Sequence, residues 1–73
     1  GRGMKVGDYV QFYSGVRGAK GIIIRQEPKA MYYKDAGIYS DIGFCFVVRY
    51  ILSGGRVVEN LAPPEYLKLL SEV

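Results

Sequence analysis

The chain has 73 residues, 49% of them hydrophobic, with ten Lys and Arg against seven Asp and Glu. That length holds one domain, a single Cys excludes a disulfide-built scaffold, and no apolar run approaches the about 20 residues a membrane-spanning helix needs. The net charge of +3 includes Arg2 and is too small to select a nucleic-acid partner on its own. Gly1-Arg2-Gly3 precede Met4 and read as a cloning remnant, which leaves residues 4–73 as one domain. With a lone Cys45 and no leader-like apolar stretch, the expected location is a reducing, cytoplasmic one.

Short apolar runs broken by glycine set the order of elements. The first strand is predicted over Tyr9-Val10-Gln11-Phe12-Tyr13, with Val6, Val10 and Phe12 facing in and Gln11 facing out. Ser14, Gly15 and Gly18 then break the chain, and Gly21-Ile22-Ile23-Ile24-Arg25 forms the second strand, since consecutive β-branched residues suit a pleated, half-buried surface. The segment from Glu27 to Ile42 exceeds the about 12–15 residues of an ordinary loop and is expected either to carry function or to contain a short element.

The third strand runs from Phe44 to Ile51. Arg49 faces solvent, so Phe44, Phe46, Val48 and Tyr50 face the core. Ser53-Gly54-Gly55 is a hairpin turn, and Arg56 to Leu61 is the fourth strand, stopped at Pro63-Pro64. A 3-10 turn over Pro63 to Tyr66 and a short last strand follow, because Leu67 and Leu69 alternate around Lys68; a C-terminal helix opened by Pro64 is the alternative. The fold class is therefore all-β: a small, five-stranded, strongly bent barrel.

Val6-Gly7-Asp8-Tyr9-Val10, followed by Gly15, Gly18 and Gly21-Ile22-Ile23, resembles the KOW motif of SH3-like barrels found in transcription elongation factors and ribosomal proteins. The opening Met4-Lys5-Val6-Gly7-Asp8, the hairpin Ser53-Gly54-Gly55-Arg56-Val57 and the ending Pro64-Glu65-Tyr66-Leu67-Lys68-Leu69-Leu70 are similar to small SH3-like proteins of tailed bacteriophages. The first resemblance implies nucleic-acid binding. The second implies the SH3-like fold and a host-cytoplasmic location, and specifies no activity.

Catalytic chemistry finds little to work with. There is no His and no Thr, so the usual general base near neutral pH is missing. Cys45 lies in the most apolar strand with no electropositive setting to make it a thiolate. One Cys and no His do not make a zinc site, Asp35 and Asp41 lack the dense acidic spacing of a calcium loop, and no cofactor motif is present. The expectation is a non-enzymatic binding protein, without metal or cofactor, monomeric or weakly self-associating.

Two surfaces qualify. The long segment interleaves Met31, Tyr32 and Tyr33 with Lys29 and Lys34, and Tyr39 follows. Tyrosine suits protein interfaces and base stacking alike, and the nearby Glu27, Asp35 and Asp41 favour a protein partner. Alternatively, the tyrosines fold back and cap the barrel. The second surface is nucleic-acid binding, with Arg17 and Lys20 on the glycine-rich turn and Lys29 beyond it; a solvated hairpin tip is the plainer alternative.

Overall fold

The computed structural model describes residues 3–13, 16, 18–28 and 43–73. They form five strands: β1 (Tyr9–Phe12), β2 (Lys20–Pro28), β3 (Phe44–Ile51), β4 (Val57–Ala62) and β5 (Leu67–Ser71). A 3-10 turn, Pro64–Tyr66, separates β4 from β5. All neighbours pair antiparallel in one sheet of order β4-β3-β2-β1-β5. The all-β class is as the sequence predicts. Among the described residues no pairing joins β4 to β5, so the sheet is open.

The sheet bends because it carries two bulges. Ile24 is left between the pairs Ile23–Val48 and Arg25–Val47. Leu70 is left between the pairs Tyr9–Ser71 and Val10–Leu69. The concave face gathers Val10, Phe12, Ile23, Phe46, Val48, Tyr50, Ala62 and Leu67 into one buried cluster. Phe12 and Tyr50 meet edge to face at 5.4 Å, the arrangement aromatic quadrupoles favour. The Tyr50 hydroxyl accepts a 2.6 Å hydrogen bond from the Asn60 amide.

Several expectations shift in detail. β2 runs on to Pro28, which stands opposite Phe44, rather than ending at Arg25. Proline closes the strand end, where a missing donor costs least. Phe44 shares the concave side with Phe46, at 5.1 Å, yet it is 37% exposed because it sits at the far end of the β2–β3 ribbon. Val6 is exposed rather than inward, since the chain turns at Lys5–Asp8, where the Asp8 N–H donates to the Lys5 carbonyl. The tail is a strand, as the Leu67/Leu69 alternation predicts. In the β3–β4 hairpin, Gly54 and Gly55 both take positive φ, a region an L side chain resists.

Asp8 ties the two ends of the described chain together. Its buried carboxylate accepts from the Val73 N–H at 3.0 Å, the Lys5 N–H at 2.9 Å and the Lys5 ammonium at 3.3 Å. The Val73 hydrogen bond foremost, then those from Lys5, hold its pKa below the ordinary carboxylate value against the opposing effect of burial. A depressed folded pKa means that the charged form stabilises the fold. That contribution is complete above the unfolded value of about 3.9 and is lost as pH falls through the folded one. Asp8→Asn is therefore expected to melt at a lower temperature at neutral pH, with the gap from the parent closing as the pH falls below about 4. Melting curves across that range check it; a gap of constant size contradicts it.

Candidate functional site

Among the described residues, the convex face of the sheet is exposed at Tyr9, Ile22, Arg49, Ile51 and Val57 and buried at Cys45 and Val47. Strand alternation sends every second residue to it, and the register fixes who stands beside whom. One row across the sheet reads Ser71, Tyr9, Ile22, Arg49, Glu59. The next carries Lys68, Gln11 and Lys20 from β5, β1 and β2, and Ile51 with Val57 from β3 and β4. On the other side of the first row lie Arg25, Val47 and Leu61, then Glu27 and Cys45.

Apolar side chains are conspicuous on this face. Ile51 is 67% exposed, Val57 is 54% exposed, and Ile22 and Tyr9 are exposed as well. Isolated exposed apolar residues are ordinary, but a set adjacent in register is the mark of a contact surface. Arg49 donates to Glu59 Oε2 through Nε at 3.0 Å and Nη2 at 2.8 Å. Arg25 donates to Glu27 at 2.7 Å and lies 3.9 Å from Glu59 Oε1. These exposed pairs add little stability; they fix the orientation of four charged groups around the apolar set. Beside them is an open recess of about 290 Å³, floored by buried Val47 and bordered by Arg25, Glu27, Glu59, Asn60 and Leu61. Lys20 and Lys68 have no carboxylate within salt-bridge range among the described residues.

Of the residues singled out in the sequence, Lys20 is placed on this face, exposed, opposite Gln11 at the start of β2. Arg17, Lys29, Met31, Tyr32, Tyr33 and Tyr39 lie outside the described residues. Sequence reading passed over Ile22, Ile51 and Val57. A signal was present: with Phe44, Phe46, Val48 and Tyr50 facing in, the outward positions of β3 are Cys45, Val47, Arg49 and Ile51, three of them apolar, too many for a solvated face. Cys45 and Val47 are in fact buried, and the Cys45 thiol points to the Pro28 carbonyl at 3.8 Å. Among the described residues no group of three or more Cys, Asp or Glu side chains could hold a metal ion, and no helix is long and apolar enough to cross a membrane.

No family model, no curated protein and no solved structure matches the chain.

Proposed function

We propose that this chain is a non-enzymatic interaction module of the SH3-like barrel type, of the kind tailed bacteriophages encode, that docks on a protein partner in the cytoplasm. The observation that carries the docking reading is the convex face, where exposed Tyr9, Ile22, Ile51 and Val57 stand among charges held by defined ion pairs. Apolar residues surrounded by oriented polar groups are the composition of a protein interface. The strand order β4-β3-β2-β1-β5 and the 3-10 turn before the last strand support the SH3-like assignment. Met31, Tyr32, Tyr33 and Tyr39, which lie outside the described residues, remain part of the proposal as a second contact.

The paired change Ile51→Ser with Val57→Ser tests the face. Both side chains are exposed at the hairpin end of β3 and β4, so each substitution is expected to alter stability by no more than about 0.5 kcal/mol. Association with the partner that co-purifies from host lysate should be lost. Retention of that partner by the double variant overturns the assignment of the face.

Tyr32→Ser with Tyr33→Ser asks the same of the tyrosine segment. Intact folding with lost association assigns the tyrosines to docking. A sharp fall in melting temperature, from loss of burial worth roughly 1.5–3 kcal/mol per ring, assigns them to the core.

A KOW-like nucleic-acid binder is the second reading, with Arg17, Lys20 and Lys29 as its contacts. Lys20 and Lys68 flanking Gln11 in one row favour it. Binding to RNA or DNA would weaken by roughly 0.7–0.9 log units per log unit of salt for each phosphate neutralised. No binding of single- or double-stranded probes at low salt removes this reading.

A further inference from the structure

The convex face is not uniform in charge. Toward β3 and β4 its basic side chains are compensated: Arg49 donates to Glu59, and Arg25 donates to Glu27. Over β5, β1 and β2 the balance differs. Lys68, Gln11 and Lys20 stand in one row there. Both lysines are exposed, and neither has a carboxylate within salt-bridge range among the described residues. Their Cα atoms are two strand spacings apart, about 10 Å. Two uncompensated cations therefore stand astride β1.

Between those cations β1 carries exposed rings. Tyr9 stands two residues before Gln11, 39% exposed, beside exposed Ile22. Tyr13 follows two residues after it, 59% exposed. The Tyr13 N–H still donates to the Tyr66 carbonyl at 2.7 Å, so the alternation that buries Phe12 sends Tyr13 to the convex side. Gln11 is held between the rings by a hydrogen bond from Nε2 to the Gly18 carbonyl at 3.3 Å, which leaves its side-chain oxygen to accept from a ligand. A ligand that alternates phosphates with planar bases matches cations set beside rings. Carboxylates of an acidic peptide would be met by the lysines alone and give the rings nothing to repeat against. A duplex stacks its bases on one another and withholds their faces. We propose that this part of the face binds single-stranded nucleic acid, with bases stacked on Tyr9 and Tyr13, phosphates on Lys20 and Lys68, and a base edge hydrogen-bonded to Gln11. The proposal rests on the nucleic-acid reading and gives it a place on the sheet. Stacking of this kind tolerates any base, because every base has a π-face, and the lysines supply the salt-dependent share of the affinity.

The test is fluorescence anisotropy with labelled oligothymidylate and oligouridylate at low salt. Both should bind alike, because the contacts go to bases and phosphates and none to the 2′ position. A duplex of mixed sequence should bind about tenfold more weakly or worse. Tyr9→Ala should weaken oligonucleotide binding by about fivefold or more, and Tyr9→Phe should retain it. Should Tyr9→Ala fail to fold, Tyr13→Ala, at the more exposed ring, carries the stacking test. Lys20→Ala and Lys68→Ala should each lower the slope of log affinity on log salt by about 0.7. Ile51→Ser with Val57→Ser should leave oligonucleotide binding unchanged. Indifference to both rings, equal affinity for the duplex, or displacement of the oligonucleotide by polyglutamate at equal charge each overturn the proposal. If oligonucleotides bind regardless of Tyr9, Tyr13 and Lys68 but are lost on Arg17→Ala with Lys29→Ala, the β1 surface is wrong and the nucleic-acid reading stands. If no probe binds at low salt, both have failed.

Discussion

Phe46→Ala is expected to destabilise the fold by about 3–5 kcal/mol. Phe46 is the largest of the fully buried side chains and sits on the middle strand of three, between Gln26 of β2 and Ala62 of β4. Ala62 is small, and Gln26 is exposed, so neither cross-strand neighbour supplies apolar bulk to refill the space; the ring of Phe44 would also lose its edge contact. Domains of this size have total stabilities near the lower end of about 5–15 kcal/mol, so the variant should be largely unfolded or close to its midpoint at room temperature. Chemical denaturation of parent and variant checks this. Phe44→Ala is the control: its ring is partly exposed at the ribbon end, and its loss should cost markedly less. Equal effects at the two positions would mean that the ribbon end is packed as tightly as the centre.

That contrast between Phe44 and Phe46 shows what the sequence makes legible. Alternation assigns both rings to one face, and both are found there. Alternation cannot say how far along a strand the core extends, because that depends on where the other strands end: β4 stops at Ala62, opposite Phe46, and Phe44 projects beyond it. The same reason explains Pro28. Its proline reads as a loop residue, yet β2 continues to it because β3 offers partners that far. The 3-10 turn and the last strand are legible because they rest on local chemistry, the fixed φ of Pro63 and Pro64 and the Leu67/Leu69 alternation. Bulges at Ile24 and Leu70 are not, since no residue type marks them.

The candidate face was legible only in fragments. Arg49 and Glu59 are ten residues apart, and their ion pair depends on the register of a hairpin whose turn is visible in Ser53-Gly54-Gly55. Counting back from that turn would have paired them. Tyr9 and Ile22 come together only when β1 and β2 pair, across a turn whose glycines leave the register open. Asp8 was read as part of an opening motif; its contact with the Val73 backbone 65 positions away has no signal in residue spacing. It follows from β5 pairing with β1, which brings both ends of the described chain to one place.

Gly21→Ala is expected to destabilise the fold by at least the about 1–3 kcal/mol typical of overpacking. A Cβ at this position would lie 2.3 Å from the Arg49 carbonyl oxygen and 2.9 Å from both the Arg49 carbonyl carbon and Tyr50 Cβ. Two of those atoms belong to the main chain of β3 at the middle of the sheet, so no side-chain rotation relieves the contact. Widening the gap between β2 and β3 would strain the pairs Ile22–Arg49 and Ile23–Val48, and shifting β2 the other way presses it on β1, where Gly21 faces Val10. Against this, alanine restricts the unfolded chain and so favours folding by only about 0.4–1 kcal/mol. The net effect is a loss, measured as a lower denaturation midpoint at unchanged slope. Because the contact is with backbone, trimming Arg49 to Ala in the same chain should restore nothing, and Lys20→Ala, one residue away with an exposed side chain, should lie within about 0.5 kcal/mol of the parent. A Gly21→Ala chain as stable as the parent would show that β2 and β3 stand further apart at this point than the register implies.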